Sequence, residues 1–472
     1  MKTECNGSTV RLQPLGRREI RAAFDGGRIT SDGGGLLLRE VEKRTGILRQ
    51  FAACFTDHRD PEAIEHTVGE LIAQRVYALA LGYEDVNDHD QLRHDPLLAA
   101  LVGKHDPLGQ KRRSRRDRGK ALAGKSTLNR LELTPADASP ESRYKKIVAH
   151  EEQIESLLVD LFLQAHPSPP QRIVLDLDAT DDPLYGHQEG RFFHGYYREY
   201  CYLPLYIFCG DFLLGAKLRQ SNIDAAAGAT DELARIVTRI RHQWPDVRII
   251  VRGDSGFCRE ELMAWCEAHE VDFLLGLAKN ERLKKVLAPQ MEEAKRTFEQ
   301  TGEPAREFAD FSYQTLTSWS RARRVVGKAE HLAKGENPRF IVTSIAADQI
   351  DARTLYEDHY CARGDMENRI KEQQLALFAD RTSTAEMRSN QLRLWFSSLA
   401  YALMHAVRRL ALSGTPLARA QCNTIRLKLL KIGAAVRVSV RRVWISLSES
   451  YPFREVFEQA LTNLAAVPLA PG

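Results

Sequence analysis

The sequence lacks the features that define membrane, secreted and cysteine-ligated zinc proteins. No apolar run is long enough to span a bilayer, and the N-terminal stretch MKTECNGSTVRLQP has no apolar signal-peptide core. The eight cysteines are scattered and never form a C-x-x-C pair, which disfavours a disulfide framework and a zinc ribbon. We therefore expect a cytoplasmic protein with reduced thiols and no membrane partner.

The sequence also has little excess charge of either sign, because 67 Lys and Arg are balanced by 63 Asp and Glu, for a net charge of +4. Electrostatic attraction must therefore come from local clusters. The segment KRRSRRDRGK, residues 111–120, holds seven basic residues and one acidic residue. Such runs are commonly solvated surface, but the arginine density favours phosphate contacts. The candidate nucleic-acid contacts are Arg112, Arg113, Arg115 and Arg116.

The stretch GKALAGKST matches the phosphate-loop pattern G-x-x-x-x-G-K-[ST] at Gly119, Gly124, Lys125 and Ser126. A working phosphate loop needs a buried strand directly before its first glycine. The residues before Gly119 are GQKRRSRRDR, which is unlike a buried strand. A P-loop NTPase is therefore an unlikely alternative, and the match fits better as the end of a basic, phosphate-seeking segment.

The 472 residues suggest two to four domains. Helical patterns dominate the first third, with one helix from Asp60-Pro61 to Gly82 and another over 141–166. After the proline-rich break HPSPPQR, short apolar β-type runs alternate with helices, which predicts an α/β sheet. The expected regions are a mostly helical 1–165, an α/β core over 166–280 and 345–412, a β-rich 281–344 between its halves, and a small α+β tail at 413–472.

Acidic residues stand at two strand positions that could carry chemistry. In IVLDLDATDD, Asp176 and Asp178 are two residues apart on a strand and point to one face. In VRIIVRGDSGF, Asp254 follows an apolar strand, where α/β folds expose ligand-binding groups. An aspartate at a strand end is, taken alone, more commonly a turn or helix cap.

A third acidic position lies in YCARGDMENRIKEQQ. At 100° per residue, one helix stripe there holds Tyr360, Arg363, Glu367 and Lys371. Carboxylates from separate elements can hold two hard cations about 4 Å apart, which activate a hydroxyl and stabilise the leaving oxygen of a phosphodiester. Neighbouring cations could hold the flanking phosphates.

These three motifs, DLDATDDPLYGHQEG, VRGDSGFCREEL and YCARGDMENRIKEQQ, resemble those of DDE transposases of bacterial insertion sequences. The chain is similar to the group named after insertion sequence thirteen-eighty, within the branch with a Tyr-x2-Arg-x3-Glu signature. Weaker likeness in FDGGRITSDGGGLLL, TDHRDPEAIEH and STLNRLE extends over nearly the whole chain. The lysine usual seven residues after the glutamate falls on Gln374, and Lys371 is the candidate to replace it.

The resemblance implies a ribonuclease-H-like core with a β-rich insertion between the second and third acids. It implies that Asp178, Asp254 and Glu367 are catalytic and bind two Mg²⁺ ions, for which Mn²⁺ can substitute; Asp176 is the alternative first acid. Tyr360, Arg363 and Lys371 would contact DNA.

The implied function is metal-dependent cleavage at element ends followed by strand transfer into target DNA. The N-terminal region would bind the terminal inverted repeats and support a homodimer, and the protein would associate with the nucleoid. A DNA-binding protein with an inactive catalytic site is the alternative.

Overall fold

The structure, a computed structural model, describes residues 9–470. Cys5 and the first residues of the expected N-terminal region lie outside this part. The chain forms two compact units: one combines the residues up to Ala149 with those from Leu399 onward, and the other is His150–Ser398. Within residues 9–470, no helix has the length and apolar character needed to cross a membrane.

The N-terminal part of the first unit is mostly helical, with short strands. Its strands are β1 (Val10–Leu15), β2 (Arg18–Ala22), β3 (Ile29–Thr30), β4 (Phe55–Asp57) and β5 (Ile147–Ala149); its helices are α1 (Leu36–Thr45), α2 (Ile47–Ala53), α3 (Val68–Leu81), α4 (His89–Leu92), α5 (Pro96–Val102) and α6 (Lys125–Glu132).

The helix predicted from Asp60-Pro61 begins later than expected. Pro61 opens only a short 3-10 turn, and α3 begins at Val68. The start is fixed by a capping box, in which the Thr67 hydroxyl accepts a hydrogen bond from the Glu70 N–H and the Glu70 carboxylate accepts one from the Thr67 N–H. A stronger cap downstream therefore overrides the proline signal.

The helix predicted over 141–166 is shorter in the structure. Its first part contains β5, which pairs antiparallel with β4, and the helix proper begins after it, at Glu151. Pairing with a strand distant in sequence decides the conformation of residues 147–149, although their apolar pattern also fits a helix.

The phosphate-loop match does not form a phosphate loop. A 3-10 turn at Arg115–Asp117, rather than a strand, precedes Gly119. At the N-terminus of α6, the Asp90 carboxylate accepts a hydrogen bond from the Lys125 N–H at 3.2 Å and lies 3.5 Å from the Lys125 ammonium. A protein carboxylate thus takes the place that a nucleotide phosphate would need, and the P-loop NTPase alternative is wrong.

The second unit is an α/β structure. Its strands are β6 (Arg172–Ala179), β7 (Asp182–Pro183), β8 (Phe192–His194), β9 (Glu199–Tyr202), β10 (Leu205–Cys209), β11 (Phe212–Lys217), β12 (Arg248–Gly253), β13 (Asp272–Leu277), β14 (Ala305–Tyr313), β15 (Arg323–Leu332), β16 (Gly335–Glu336) and β17 (Arg339–Thr343); its helices are α7 (Glu151–Gln164), α8 (Ala229–Gln243), α9 (Glu260–Ala268), α10 (Glu281–Thr301), α11 (Ala352–Thr354), α12 (Gly364–Lys371) and α13 (Met387–Ala406), whose last residues belong to the first unit.

A nine-stranded sheet organises this unit, in the order β11-β10-β6-β12-β13-β17-β15-β14 with β16 beside β15. The pairs β6–β12 and β12–β13 are parallel, and the others are antiparallel. Apolar side chains of α7 to α10 pack on one face. The other face carries a smaller cluster that includes Ile250, Leu274, Leu355 and Tyr356, so the helical segment after β17 covers this second face.

The region expected to be a β-rich insertion, 281–344, begins with the 21-residue helix α10. Its strands then extend the central sheet, because β17 pairs with β13 and carries β15 and β14 outward. The α/β class expected from the sequence is confirmed as a large mixed sheet flanked by helices.

The C-terminal part completes the first unit with α14 (Cys422–Ile425), β18 (Ala434–Val438), β19 (Val443–Leu447) and α15 (Arg454–Ala465). Strand β18 lies between β19 and β3, so the expected first and last regions share one sheet. Close by, the Gly33 N–H donates to the Ile432 carbonyl, and a Cβ on Gly34 would lie 1.7 Å from the Leu429 carbonyl oxygen.

We expect Gly34→Ala to destabilise the protein by about 3 kcal/mol or more, because the added methyl group meets backbone that cannot rotate away. Urea unfolding followed by circular dichroism measures this change. Gly433→Ala is the matched control, since a Cβ there meets no atom within 4 Å. Equal unfolding midpoints for the two variants would contradict this close packing.

Candidate active site

The register of two parallel strands brings Asp178 and Asp254 together. Along β6 and β12, Asp176 lies opposite Arg252 and Leu177 opposite Gly253. One residue further on each strand stand Asp178 and Asp254, and neighbouring strands are about 4.8 Å apart. Both carboxylates therefore lie at the same edge of the sheet.

Asp254 ends its strand and turns the chain. Its Oδ1 accepts a hydrogen bond from the Gly256 N–H at 2.8 Å, which caps a 3-10 turn. On the neighbouring strand, a Cβ at Gly276 would lie 2.6 Å from the Tyr360 hydroxyl and 2.8 Å from the Ser255 nitrogen. Glycine at this position therefore makes room for Tyr360 beside the Asp254 turn.

Glu367 reaches the site from an irregular helical segment, which we call the catalytic helix, residues 352–376. It combines α11, a π-helical turn at Leu355–Tyr360, a 3-10 turn, α12 and a second π-helical turn at Glu372–Ala376. The regular helix predicted from Tyr360 onward is thus wrong in its first turns, since α12 begins only at Gly364. π-Turns of this kind are frequent at functional sites.

Arg363 joins the acids from separate elements. Its Nη2 lies 3.0 Å from Glu367 Oε1, and its Nη1 lies 3.9 Å from Asp178 Oδ1. The Arg363 and Asp178 side chains are only 19% and 17% exposed, whereas Glu367 is 45% exposed. A single, largely buried guanidinium therefore partly neutralises two of the three carboxylates.

Burial raises the pKa of Asp178 to about 7. This value includes smaller upward contributions from the charges of Asp254 and Glu367 and the opposing effect of Arg363. Arg363 in turn interacts electrostatically with Asp178, Tyr360, Glu367 and Asp254. These electrostatic couplings indicate that the five side chains form one site, whose carboxylates repel one another.

Asp176, the alternative first acid, is occupied by a buried ion pair. Arg252 Nε lies 2.5 Å from Asp176 Oδ1, and its Nη2 lies 2.8 Å from Oδ2. The third guanidinium nitrogen donates to the His359 carbonyl, in the π-turn directly before Tyr360. Asp176 therefore holds Arg252, and Arg252 anchors the catalytic helix to the sheet.

Sequence reasoning missed Arg252, although a signal was present. Arg252 precedes Asp254 by two residues in an otherwise apolar strand, just as Asp176 precedes Asp178. Two parallel strands with polar residues at the same alternation place those residues in facing pairs. The equivalent positions of Arg252 and Asp176 on their two strands could therefore have indicated the ion pair.

The structure does not bring Lys371 to the carboxylates. Its side chain is exposed, and among residues 9–470 it forms no ion pair. Gln374, at the position of the usual lysine, donates to the Asp181 carbonyl at 3.0 Å. The predicted phosphate contact of Lys371 gains no support from this arrangement.

The basic segment belongs to the other unit, and its arginines differ in exposure. The Arg112 guanidinium contacts Glu65 at 2.9 Å, His66 at 2.6 Å and the Lys120 carbonyl at 3.2 Å. Arg113 donates to the Glu62 carbonyl at 2.9 Å. Arg112 and Arg113 thus hold the loop together.

The other two arginines of the predicted set are open to solvent. Arg115 is exposed, and the Arg116 side chain is 88% exposed with only a long ion pair of 3.6 Å to Asp117. Arg115 and Arg116 are therefore the arginines of the predicted set that can reach a phosphate.

The donor chemistry of the acidic site fits a hard divalent cation. Asp178, Asp254 and Glu367 supply oxygen ligands only, which Mg²⁺ and Mn²⁺ prefer, and their mutual repulsion is the kind that a cation relieves. In the conformation described for residues 9–470, no three carboxylate, imidazole or thiol groups are grouped closely enough to hold a metal ion. Arg363 instead bridges Asp178 and Glu367.

With a chelator present, we expect the wild type to lose stability relative to Asp178→Asn as the pH rises from about 4 to about 7. The pKa of Asp178 lies at about 7 in the folded protein and at 3.8 ordinarily. Between these values the folded state keeps a proton that the unfolded state has lost, so stability falls with rising pH. Urea midpoints measured across this pH range test the expectation.

Asp176→Asn is the contrasting variant. It leaves Arg252 buried without its charge partner, and we expect a loss of about 3 kcal/mol at neutral pH. Parallel pH curves for wild type and Asp178→Asn would contradict the raised pKa of Asp178.

Comparison with known proteins identifies the family. The model of the family described as Transposase DDE domain group 1 matches residues 12–469. Among solved structures, the piggyBac transposase in a synaptic complex with hairpin DNA, seen by cryo-electron microscopy, has a TM-score of 0.42 and 11% identity over 94% of this chain and 87% of that chain. No curated protein matches the chain. The prediction of a DDE transposase is confirmed at family level, while the narrower group stays a prediction. The chain belongs to the family Transposase DDE domain group 1.

Proposed function

We propose that this chain is a DNA transposase that cleaves phosphodiesters at the ends of an insertion sequence and transfers the freed strands into target DNA. The observation that carries the proposal is the convergence of Asp178, Asp254 and Glu367 around Arg363 at one edge of the sheet. The central sheet with the acids on neighbouring parallel strands supports a ribonuclease-H-like core, and the family supports DNA as the substrate.

Asp178, Asp254 and Glu367 would hold two Mg²⁺ ions, whose chemistry when bound would be to activate a hydroxyl and to stabilise the leaving oxygen of a phosphodiester. Asp178 has to lose its proton to serve as a ligand, and its raised pKa makes this step dependent on pH near neutrality. Tyr360 presents its hydroxyl beside the Asp254 turn. No side chain forms a covalent intermediate in this scheme.

Arg363 has two tasks in the proposed site. Before DNA binds, its guanidinium offsets the repulsion between Asp178 and Glu367. When another group neutralises the charge of Asp178 and Glu367, the guanidinium N–H groups of Arg363 become free to bind a DNA phosphate. Arg252 positions the segment that bears Tyr360 and Arg363 but does not touch the reacting atoms.

In the assembled complex, the N-terminal region binds the terminal inverted repeats, and a homodimer brings two ends together. Arg115 and Arg116 supply phosphate contacts, which give affinity but no sequence choice. The second candidate function is that of an inactive protein that only binds DNA. Such a protein would also use the basic segment, but it would not need Asp178, Asp254 and Glu367.

We expect Asp254→Asn and Glu367→Gln to lower Mg²⁺-dependent cleavage by about a hundredfold or more, the scale for removing a group that stabilises the transition state. The substrate is duplex DNA carrying the inverted repeats that flank the reading frame, and the products are resolved on denaturing gels. DNA binding is measured in parallel and should persist.

Glu357→Gln is the matched control for Glu367→Gln. Glu357 lies on the same catalytic helix but pairs with Arg306 and Arg353, away from the acids. The Glu357→Gln variant should cleave DNA as the wild type does. Equal cleavage by all variants would remove the metal-site assignment, and DNA binding without cleavage by the wild type would favour the inactive candidate.

We expect the double variant Arg115→Ala/Arg116→Ala to bind DNA more weakly and with a shallower salt dependence. The slope of log Kd against log salt should fall by about one unit for each phosphate that the protein no longer neutralises. Fluorescence anisotropy over a salt series measures both quantities.

Arg441→Ala/Arg442→Ala is the matched control, because these adjacent arginines are also exposed in the same unit. An equal loss of affinity in both double variants would show that general positive charge, and not this segment, attracts DNA.

A further inference from the structure

A small three-stranded sheet beside the active site carries an unusual number of exposed aromatic rings. It consists of β7, β8 and β9 in the order β7-β9-β8, and we call residues 185–200 the aromatic hairpin. Five of its rings are exposed: Tyr185 (88%), Phe192 (40%), Phe193 (56%), Tyr196 (84%) and Tyr200 (45%). Clustered exposed apolar side chains on a soluble domain indicate an interaction surface.

Part of this surface is an ordered cluster of rings. Phe193 and Tyr200 are paired across β8 and β9, and their rings contact edge to face with centroids 5.6 Å apart. The Arg191 guanidinium lies 3.8 Å from the centre of the Tyr200 ring. At the turn, the Tyr196 and Tyr197 rings contact edge to face at 5.1 Å. Alternating aromatic rings and a guanidinium plane form the kind of platform on which nucleobases stack.

The aromatic hairpin is held firmly in place. The Tyr202 hydroxyl donates to the Glu189 carbonyl at 2.5 Å, and the Glu189 N–H donates to the Ala385 carbonyl at 2.8 Å. The Gln188 amide donates to the Thr382 carbonyl at 3.2 Å. These bonds tie the hairpin to the segment that follows the catalytic helix, so its rings stay exposed instead of collapsing onto the protein.

The hairpin also contacts the first catalytic strand. The Tyr197 hydroxyl donates to the Ala179 carbonyl at 3.3 Å, and Ala179 directly follows Asp178. A DNA strand whose scissile phosphate lies at Asp178 would therefore pass close to the aromatic hairpin.

The hairpin carries two arginines and two glutamates, so it is neutral overall. The Glu189 carboxylate accepts a hydrogen bond from the Met387 N–H, and Asp181 raises the pKa of Glu199 by hydrogen bonding to it. Both acids thereby make contacts within the protein, while Arg198 is exposed and Arg191 lies over the Tyr200 ring. Cations and rings remain for a ligand.

We propose that the aromatic hairpin binds unstacked bases of the DNA strand next to the scissile phosphate. This inference rests on the proposed transposase function for its location but not for its chemistry. Bases adjoining a cleavage point must leave the regular duplex stack to lie flat on protein rings, and a rigid, exposed aromatic platform beside the acids stabilises that distorted strand.

The test uses the full chain, a chelator to prevent cleavage, and a short single-stranded oligodeoxynucleotide containing the fluorescent adenine analogue 2-aminopurine. Tyr185→Ala/Tyr196→Ala removes two rings that are more than four-fifths exposed, so folding does not depend on them. We expect a loss of affinity of about fivefold or more, together with loss of the fluorescence quenching that stacking causes. Tyr185→Phe/Tyr196→Phe keeps the rings and should retain both.

Phe24→Ala is the control, because that ring is fully exposed in the other unit, and it should bind as the wild type does. Unchanged affinity and quenching in the alanine double variant overturn the inference. A change in sedimentation without a change in DNA binding also overturns it, because the surface then belongs to an interface with a second copy.

The same preparations are assayed for cleavage with Mg²⁺. If the alanine double variant loses oligonucleotide binding but neither the wild type nor any variant cleaves DNA, the inference about the aromatic hairpin is supported and the proposed function is wrong. If Asp254→Asn abolishes cleavage while the tyrosine variants bind normally, the proposed function stands and the aromatic surface fails.

Discussion

The candidate active site depends on the parallel register of β6 and β12. This register sets Arg252 opposite Asp176, and one step further it sets Asp254 beside Asp178. Because side chains alternate along a strand, a slip of one residue would send the two acids to opposite faces of the sheet. The buried Asp176–Arg252 pair opposes such a slip, since separating its partners would leave two uncompensated charges in the interior.

The same pair also determines where the third acid lies. Arg252 reaches the His359 carbonyl within a π-turn, and this hydrogen bond fixes the part of the catalytic helix that leads to Tyr360 and Arg363. Glu367 follows one turn after Arg363. One ion pair thus links two strands and a helix, and the geometry of the site follows from it.

The site concentrates negative charge under partial burial, which is costly in the absence of a cation. The protein lowers this cost with Arg363, which lies against Asp178 and Glu367, and through the raised pKa of Asp178, which keeps a proton on one carboxylate near neutrality. Such clustered, partly buried carboxylates with a raised pKa are more typical of functional sites than of a packed structural core.

The candidate acids and their local setting could be predicted from the sequence alone. The residue types and spacings around Asp178, Asp254 and Glu367, the α/β alternation and the absence of a strand before Gly119 are read from local patterns of polarity and backbone preference. The tertiary structure was needed to show that Asp176 rather than Asp178 forms the buried ion pair with Arg252, that Arg112 is held by Glu65 while Arg116 is open to solvent, and that residues 147–149 pair as a strand. The physical reason is that an ion pair, a strand register or a ring's exposure depends on partners distant in sequence, which no local pattern specifies.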